Sequence, residues 1–181
     1  IISFCQDAVK VDGSNLEQIE DIVVGLVNNY RAIKGLNRLV RKEIIDTFAM
    51  QHCNNMMLDF FKTDDIRKSC AHDLPGLSVK QRRDNFNSKY TCYNNLGNSI
   101  CISGENCGAR QLYTKSPKYS VILTAQEIFN AWKNCPAHNH VMLVKKHKFV
   151  GIDILIVNDK TILVSIDFGC YLKDIITVEV R

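Results

Sequence analysis

Eight cysteines scattered along 181 residues constrain this chain more than any other feature. They stand at Cys5, Cys53, Cys70, Cys92, Cys101, Cys107, Cys135 and Cys170, and no C-x-x-C pair occurs among them. Zinc-ribbon and thioredoxin-like readings both need such a pair and lose their defining spacing. An even number of dispersed cysteines fits up to four disulfides formed in an oxidising compartment. The alternative is a set of reduced thiols in a cytosolic protein. Eight cysteines allow on the order of 100 complete pairings, and spacing does not choose among them.

The chain does not depend on those bridges for lack of a core. A domain of this length buries roughly 70% of the surface its unfolded chain exposes, so it needs no metal to fold. Hydrophobic residues make up 46% of the chain, which argues against disorder. The net charge of +4 is modest, and the basic clusters at Lys80–Arg83 and Lys145–Lys148 are short. They read as solvated faces rather than a nucleic-acid arm, so no nucleic-acid partner is expected. There is no apolar run long enough for a transmembrane segment. The sequence begins at Ile1 without methionine, as a mature protein or a trimmed chain would, and removal of a signal peptide is an expectation only. It has no N-x-S/T site for a conventional N-glycan.

Along the chain, residues 1–13 read as an N-terminal extension and 14–181 as a single domain without repeats. Ser14 with Glu17 makes a capping box that opens a helix, and Leu16, Ile19, Ile22, Val23, Leu26, Val27 and Tyr30 recur at helical spacing to about Ala32. Gly35 stands where a helix-ending glycine belongs. A second helix is expected over about Lys42–Phe61, with Ile45, Phe48, Ala49, Cys53, Met56 and Met57 inward and Met50 also counted as core. Lys62–Cys107 is loop-rich, with a short helix over Ser78–Phe86. Thr124, followed by Glu127, caps a helix through Trp132. Phe149–Val157 and Thr161–Phe168 are β-rich and flank the turn Asn158-Asp159-Lys160, so they form an antiparallel hairpin, and Ile175–Val180 adds a further strand. Helices first and strands last give an α+β class, with helices packed on a sheet.

Four ordered segments carry a family resemblance. They are Asn28-Asn29-Tyr30-Arg31 with Lys34-Gly35-Leu36-Asn37-Arg38-Leu39; Ala49-Met50-Gln51-His52-Cys53-Asn54-Asn55-Met56; Gly104-Glu105-Asn106; and Ala131-Trp132-Lys133-Asn134-Cys135-Pro136-Ala137-His138, continued by Val150-Gly151-Ile152 and Asp167-Phe168-Gly169. Together they resemble the CAP superfamily of cysteine-rich secretory proteins, antigen 5 and pathogenesis-related proteins, also called the SCP domain. His72-Asp73-Leu74-Pro75-Gly76-Leu77-Ser78 with Arg82 is similar to the H-x-D-P-x-G-x-S segment of microbial members.

The resemblance implies a three-layer α-β-α sandwich with a central antiparallel sheet and a cleft. It also implies that His72, Glu105 and His138 meet there as candidate ligands for zinc or another divalent cation. The second acid of the family's cleft falls near Cys135 and is missing. Two imidazoles and a carboxylate suit zinc chemically and leave a coordination position open. The competing reading is that Glu105 and His138 only hydrogen-bond across the cleft and fix its loops. His52-Cys53 reads as helix packing and a disulfide, Trp132 as core, and His140 and His147 as surface.

The function the resemblance implies is that of a secreted, non-enzymatic binding module with a role in defence or virulence. Its partners would be a lipid or sterol, or a protein on a host or microbial surface. A metal-dependent hydrolase or protease is the alternative, but no nucleophile elbow or oxyanion-hole motif accompanies the histidines. A third reading is a structural, toxin-like protein with a vestigial cleft.

Overall fold

A computed structural model describes residues 11–91, 99–111, 121–158 and 161–171. The first helix, α1, runs Leu16–Ile33 and buries Ile19, Val23 and Val27. Its start departs from the expected capping box. Asn15 is the cap residue and makes no side-chain cap bond. The Ser14 hydroxyl donates instead to Asp12 Oδ1 at 2.5 Å, because a turn at residues 12–14 offers a nearer acceptor. Its end is as expected. Gly35 takes φ +71°, Leu36 N donates to Arg31 O at 2.9 Å and Gly35 N to Ala32 O at 3.0 Å, the paired bonds of a Schellman motif.

Two side chains of α1 then anchor neighbouring segments of the chain. Asn28 bonds both backbone groups of Leu39, and buried Arg31 donates to the carbonyls of Asn37, Met142, Val144 and His147. The Asn28–Arg31 motif is thus a structural clamp. A short strand β1 (Val40–Arg41) leads into α2 (Glu43–Thr63), whose buried face is Ile45, Phe48, Ala49, His52, Cys53 and Met56. Met50 is exposed rather than core, since it lies off that face. Next come α3 (Ile66–Ser69), capped by Asp65, and α4 (Val79–Thr91). At the start of α4, Ser78 and Gln81 exchange reciprocal side-chain bonds.

The stretch expected to be loop up to Cys107 contains the larger part of the twelve-residue strand β2 (Ile100–Gln111). Its glycines, Glu105 and Asn106 hide it, because they carry little β propensity and no apolar alternation. Helix α5 (Val121–Asn134) starts a turn before Thr124, so that threonine is buried inside the helix rather than capping it. Helix α6 (Pro136–Met142) comes next, with proline in its first turn, and then β3 (Phe149–Asn158) and β4 (Thr161–Tyr171) form the expected hairpin. The strand expected at Ile175–Val180 lies outside the described residues.

The sheet order is β1-β3-β4-β2, antiparallel except for the parallel pairing of β1 with β3. Alternation along the strands separates two cores. Val150, Ile152, Ile154, Ile162, Val164, Ile166 and Phe168 pack with α1, α5 and Met142. Phe149 and Leu163 join α2, β2 and Leu74 on the opposite face. The result is an α-β-α sandwich with β2 at one end of the sheet. No described helix is long and apolar enough to cross a membrane.

Candidate functional site

Glu105 stands in mid-β2 and is 6% exposed. A carboxylate buried there needs partners, and three elements supply them. Arg82 of α4 donates Nη1 to Oε2 at 3.2 Å, and Nη2 to Oε1 at 2.9 Å and Oε2 at 2.8 Å. His72, on the loop before α4, donates Nδ1–H to Oε1 at 2.8 Å. Arg82 Nη2 also donates to the His72 carbonyl at 2.9 Å, so one guanidinium holds both groups. From α2, buried His52 brings Nε2 to 3.4 Å from Oε1. Across the ladder, Asp167 is the register partner of Glu105. Ser165 Oγ donates to Asp167 Oδ2 at 3.0 Å.

These contacts separate two adjacent carboxyls. Burial works to raise the pKa of Glu105, but the His72 hydrogen bond and the Arg82 charge outweigh it and hold the group below its ordinary value. Asp167 moves the other way: burial, then the neighbouring Glu105 charge, push it well up. Of the two, Glu105 keeps its charge the more readily and Asp167 its proton. His72 is raised by its Glu105 bond, whereas burial lowers His138. Burial also lowers His52, to about 4, so it is neutral at pH 7.

His72 faces His138 of α6 with ring centroids 6.1 Å apart. The His138 carbonyl accepts from Asn106 Nδ2 at 3.0 Å, which ties α6 to β2. Next to Glu105, Gly104 leaves room for this layer: a Cβ there would lie 2.9 Å from Val141 Cγ1 and 3.0 Å from His147 Cε1. A cleft of about 400 Å³ opens between the two layers, lined by Cys70, His72, Cys107, Trp132, Cys135 and His138 among others. Trp132 Nε1 donates to Cys107 O at 3.3 Å.

Among the residues singled out from sequence, His72 and His138 thus share one cleft and Glu105 sits behind His72. Three participants were not anticipated. His52 is the polar member of the apolar α2 face, and that misplaced polarity was its one signal. Cys107 brings a thiol within 4.8 Å of ligand atoms of His52 and Glu105, so this buried group can hold a metal ion. Asp167 puts a second carboxyl beside Glu105 from β4, while Cys135, where the family's second acid was sought, caps α6. His147 is also corrected. It is 1% exposed and stacked on Phe168 at 5.1 Å, because the Arg31 bond to its carbonyl draws it inward. His140 is exposed, as expected.

Six cysteines are described, and none of them is bonded to another. Cys101 and Cys170 nevertheless approach to 3.6 Å between Sγ atoms. Cys70 and Cys107 line one cleft, and their mutual interaction pulls the Cys70 thiol below its usual pKa and pushes Cys107 up.

No known family model matches this chain, and no curated protein does. Solved structures do. An outer surface protein from Borrelia burgdorferi aligns over 91% of this chain and 98% of its own, with 16% identity and a TM-score of 0.57. An extracellular SCP-domain protein from Bacillus anthracis aligns over 88% of this chain with 19% identity and a TM-score of 0.54, and the CAP domain of enterococcal PrgA over 90% with 14% and 0.55. The present chain spans 44% and 65% of those last two chains. The fold is that of the CAP, or SCP, domain.

Proposed function

We propose that this chain is a secreted CAP-type binding module whose cleft takes a divalent cation, zinc being the best chemical match, on His72 and His138 with Glu105 behind them. One observation carries the reading: two imidazoles face each other across an open cleft, and one of them is locked in orientation by a buried carboxylate. Imidazoles bound to one zinc through nitrogens at about 2 Å place their ring centres roughly 5–6 Å apart, which the observed 6.1 Å approaches. The Nδ1–H bond to Glu105 fixes the His72 tautomer and leaves Nε2 as the lone-pair donor, the arrangement in which an outer carboxylate tunes a ligating histidine. Arg82 occupies both Glu105 oxygens, so Glu105 serves His72 as an orienting group and is not required to bind the ion itself. The ion would supply a Lewis-acidic contact point for a donor group on a partner at the cell surface.

Support for secretion comes from the dispersed cysteines and from fold relatives described as outer-surface and extracellular. Isothermal titration with zinc chloride at pH 7.5 tests the cleft. The expected result is one site, weakened at least about tenfold in His138→Ala and in His72→Ala. Equal affinity in the parent and His138→Ala would overturn it. Native mass spectrometry of protein from its own source supplies the second check. A retained zinc ion supports the reading, and a retained lipid or sterol without metal replaces it with an apolar-ligand cleft.

A further inference from the structure

The fold brings four of the cysteines together in two pairs that spacing does not reveal. Cys101 and Cys170 are direct partners in the β2–β4 ladder, both fully buried, with Sγ atoms 3.6 Å apart. Directly opposed residues of an antiparallel pair have Cα atoms about 4.5–5.5 Å apart, inside the roughly 4.4–6.8 Å range that a disulfide spans. Cys70, just after α3, and Cys107 of β2 line the same cleft and pack in one cluster beneath it. Of the other described cysteines, Cys53 Sγ donates to Asp153 O at 3.3 Å, and Cys135 stands at the N-cap of α6, lining the cleft, without a side-chain cap bond.

We propose that the folded protein carries the disulfides Cys70–Cys107 and Cys101–Cys170, and that the first is a staple holding His72 against Glu105. The geometry of the staple is specific. Cys70 precedes His72 by two residues and Cys107 comes two after Glu105, so the bridge lies beside the 2.8 Å His72–Glu105 bond and ties the same two segments. It also withdraws the Cys107 thiol from the buried His52–Glu105–Cys107 group and leaves the histidines of the cleft as the donors facing solvent. The second bridge locks β2, which carries Glu105, to β4.

The chemistry is thiol–disulfide exchange with a small-molecule disulfide such as oxidised glutathione. One cysteine thiolate attacks a glutathione sulfur, forming a mixed disulfide and expelling one glutathione thiolate. The partner thiolate then attacks the protein sulfur of that mixed disulfide and expels the second. Two cysteine thiols are oxidised, one glutathione disulfide is reduced to two thiols, and the two protons end on those thiols. Cys101 and Cys170 are inaccessible once the ladder is closed, so their bridge forms during folding.

The test refolds the full chain from reduced, unfolded material in a glutathione redox buffer, traps remaining thiols with iodoacetamide and maps peptides without reduction. Expected are linked peptides Cys70–Cys107 and Cys101–Cys170, each exceeding any other linkage of those cysteines at least about tenfold. Linkage of any of the four to Cys5, Cys53, Cys92 or Cys135, or their full alkylation, would overturn the pairing. In Cys70→Ser the Cys101–Cys170 bridge should persist, Cys107 should become alkylatable, and amide exchange across residues 70–77 should speed at least about tenfold. Unchanged exchange there would overturn the staple. Should that variant not fold, the peptide map of the parent still decides the pairing.

Discussion

Arg82 is the side chain on which the charge of the site depends. It is 6% exposed and meets both oxygens of an equally buried Glu105, and its flat face lies 5.9 Å from the Phe48 ring centre. An ionised carboxylate stays buried at low cost only while such a partner is present. Arg82→Met keeps the stem and removes the charge, so Glu105 is left with His72 and a neutral His52. The expected loss is about 3–5 kcal/mol, the range for breaking a buried pair from one side. Glu105→Gln in that background should restore part of it, because the orphaned charge is gone. Urea denaturation of the parent, both single variants and the double variant measures the coupling. Strict additivity would show that the pair does not act as a unit.

At the scale of elements, the position of α2 rests on an absence of side chain. A Cβ on Gly151 of β3 would lie 2.2 Å from the Ile45 carbonyl carbon and 2.3 Å from Asp46 N, both backbone atoms that cannot rotate away. The same contact is sealed by Asp46 Oδ1, which accepts from Ile152 N at 2.8 Å. Gly151→Ala should therefore push α2, and with it His52, off the sheet. The expected destabilisation is at least about 3 kcal/mol, the upper end of ordinary overpacking, read as a lowered urea midpoint; an unchanged midpoint would mean that α2 docks elsewhere. The elements themselves were largely legible. Apolar residues at helical spacing gave α1 and α2, and the β-rich runs around Asn158-Asp159-Lys160 gave the β3–β4 hairpin. Strand β2 was illegible because its ladder is built on Gly104-Glu105-Asn106-Cys107-Gly108, where partner strands rather than local preference impose extension. Of the site, Glu105, His72 and His138 were reachable through the ordered motifs. His52 and Asp167 were not, since only the α2–sheet packing and the β2–β4 register bring them to Glu105.

For the molecule as a whole, buried histidines couple stability to pH. Burial lowers His52 to about 4 and His147 to about 3, so both are neutral in the fold. An unfolded chain protonates them near pH 6.5. Between pH 6.5 and those lower values the unfolded state thus holds the extra protons. The stability contributed by these histidines is complete above pH 6.5 and is lost as pH falls toward about 4 and about 3. Other buried groups act with opposite sign. Glu20, Asp153 and Asp167 are raised, chiefly by burial, and keep protons in the fold that the unfolded chain would release. The net slope of the parent mixes both kinds, whereas a single substitution isolates one. His147 faces Val141 and Gly104, stacks on Phe168 and has Arg31 and Lys146 as its charged neighbours. Phenylalanine retains the stack and cannot take a proton. Relative to the parent, His147→Phe should therefore gain about 1.4 kcal/mol for each pH unit between pH 6 and 4, the value of one proton. Urea midpoints of the two proteins, compared at pH 4, 5, 6 and 7, measure this directly. A constant difference across that range would place the His147 ring in water and refute the Arg31 clamp that draws it inward.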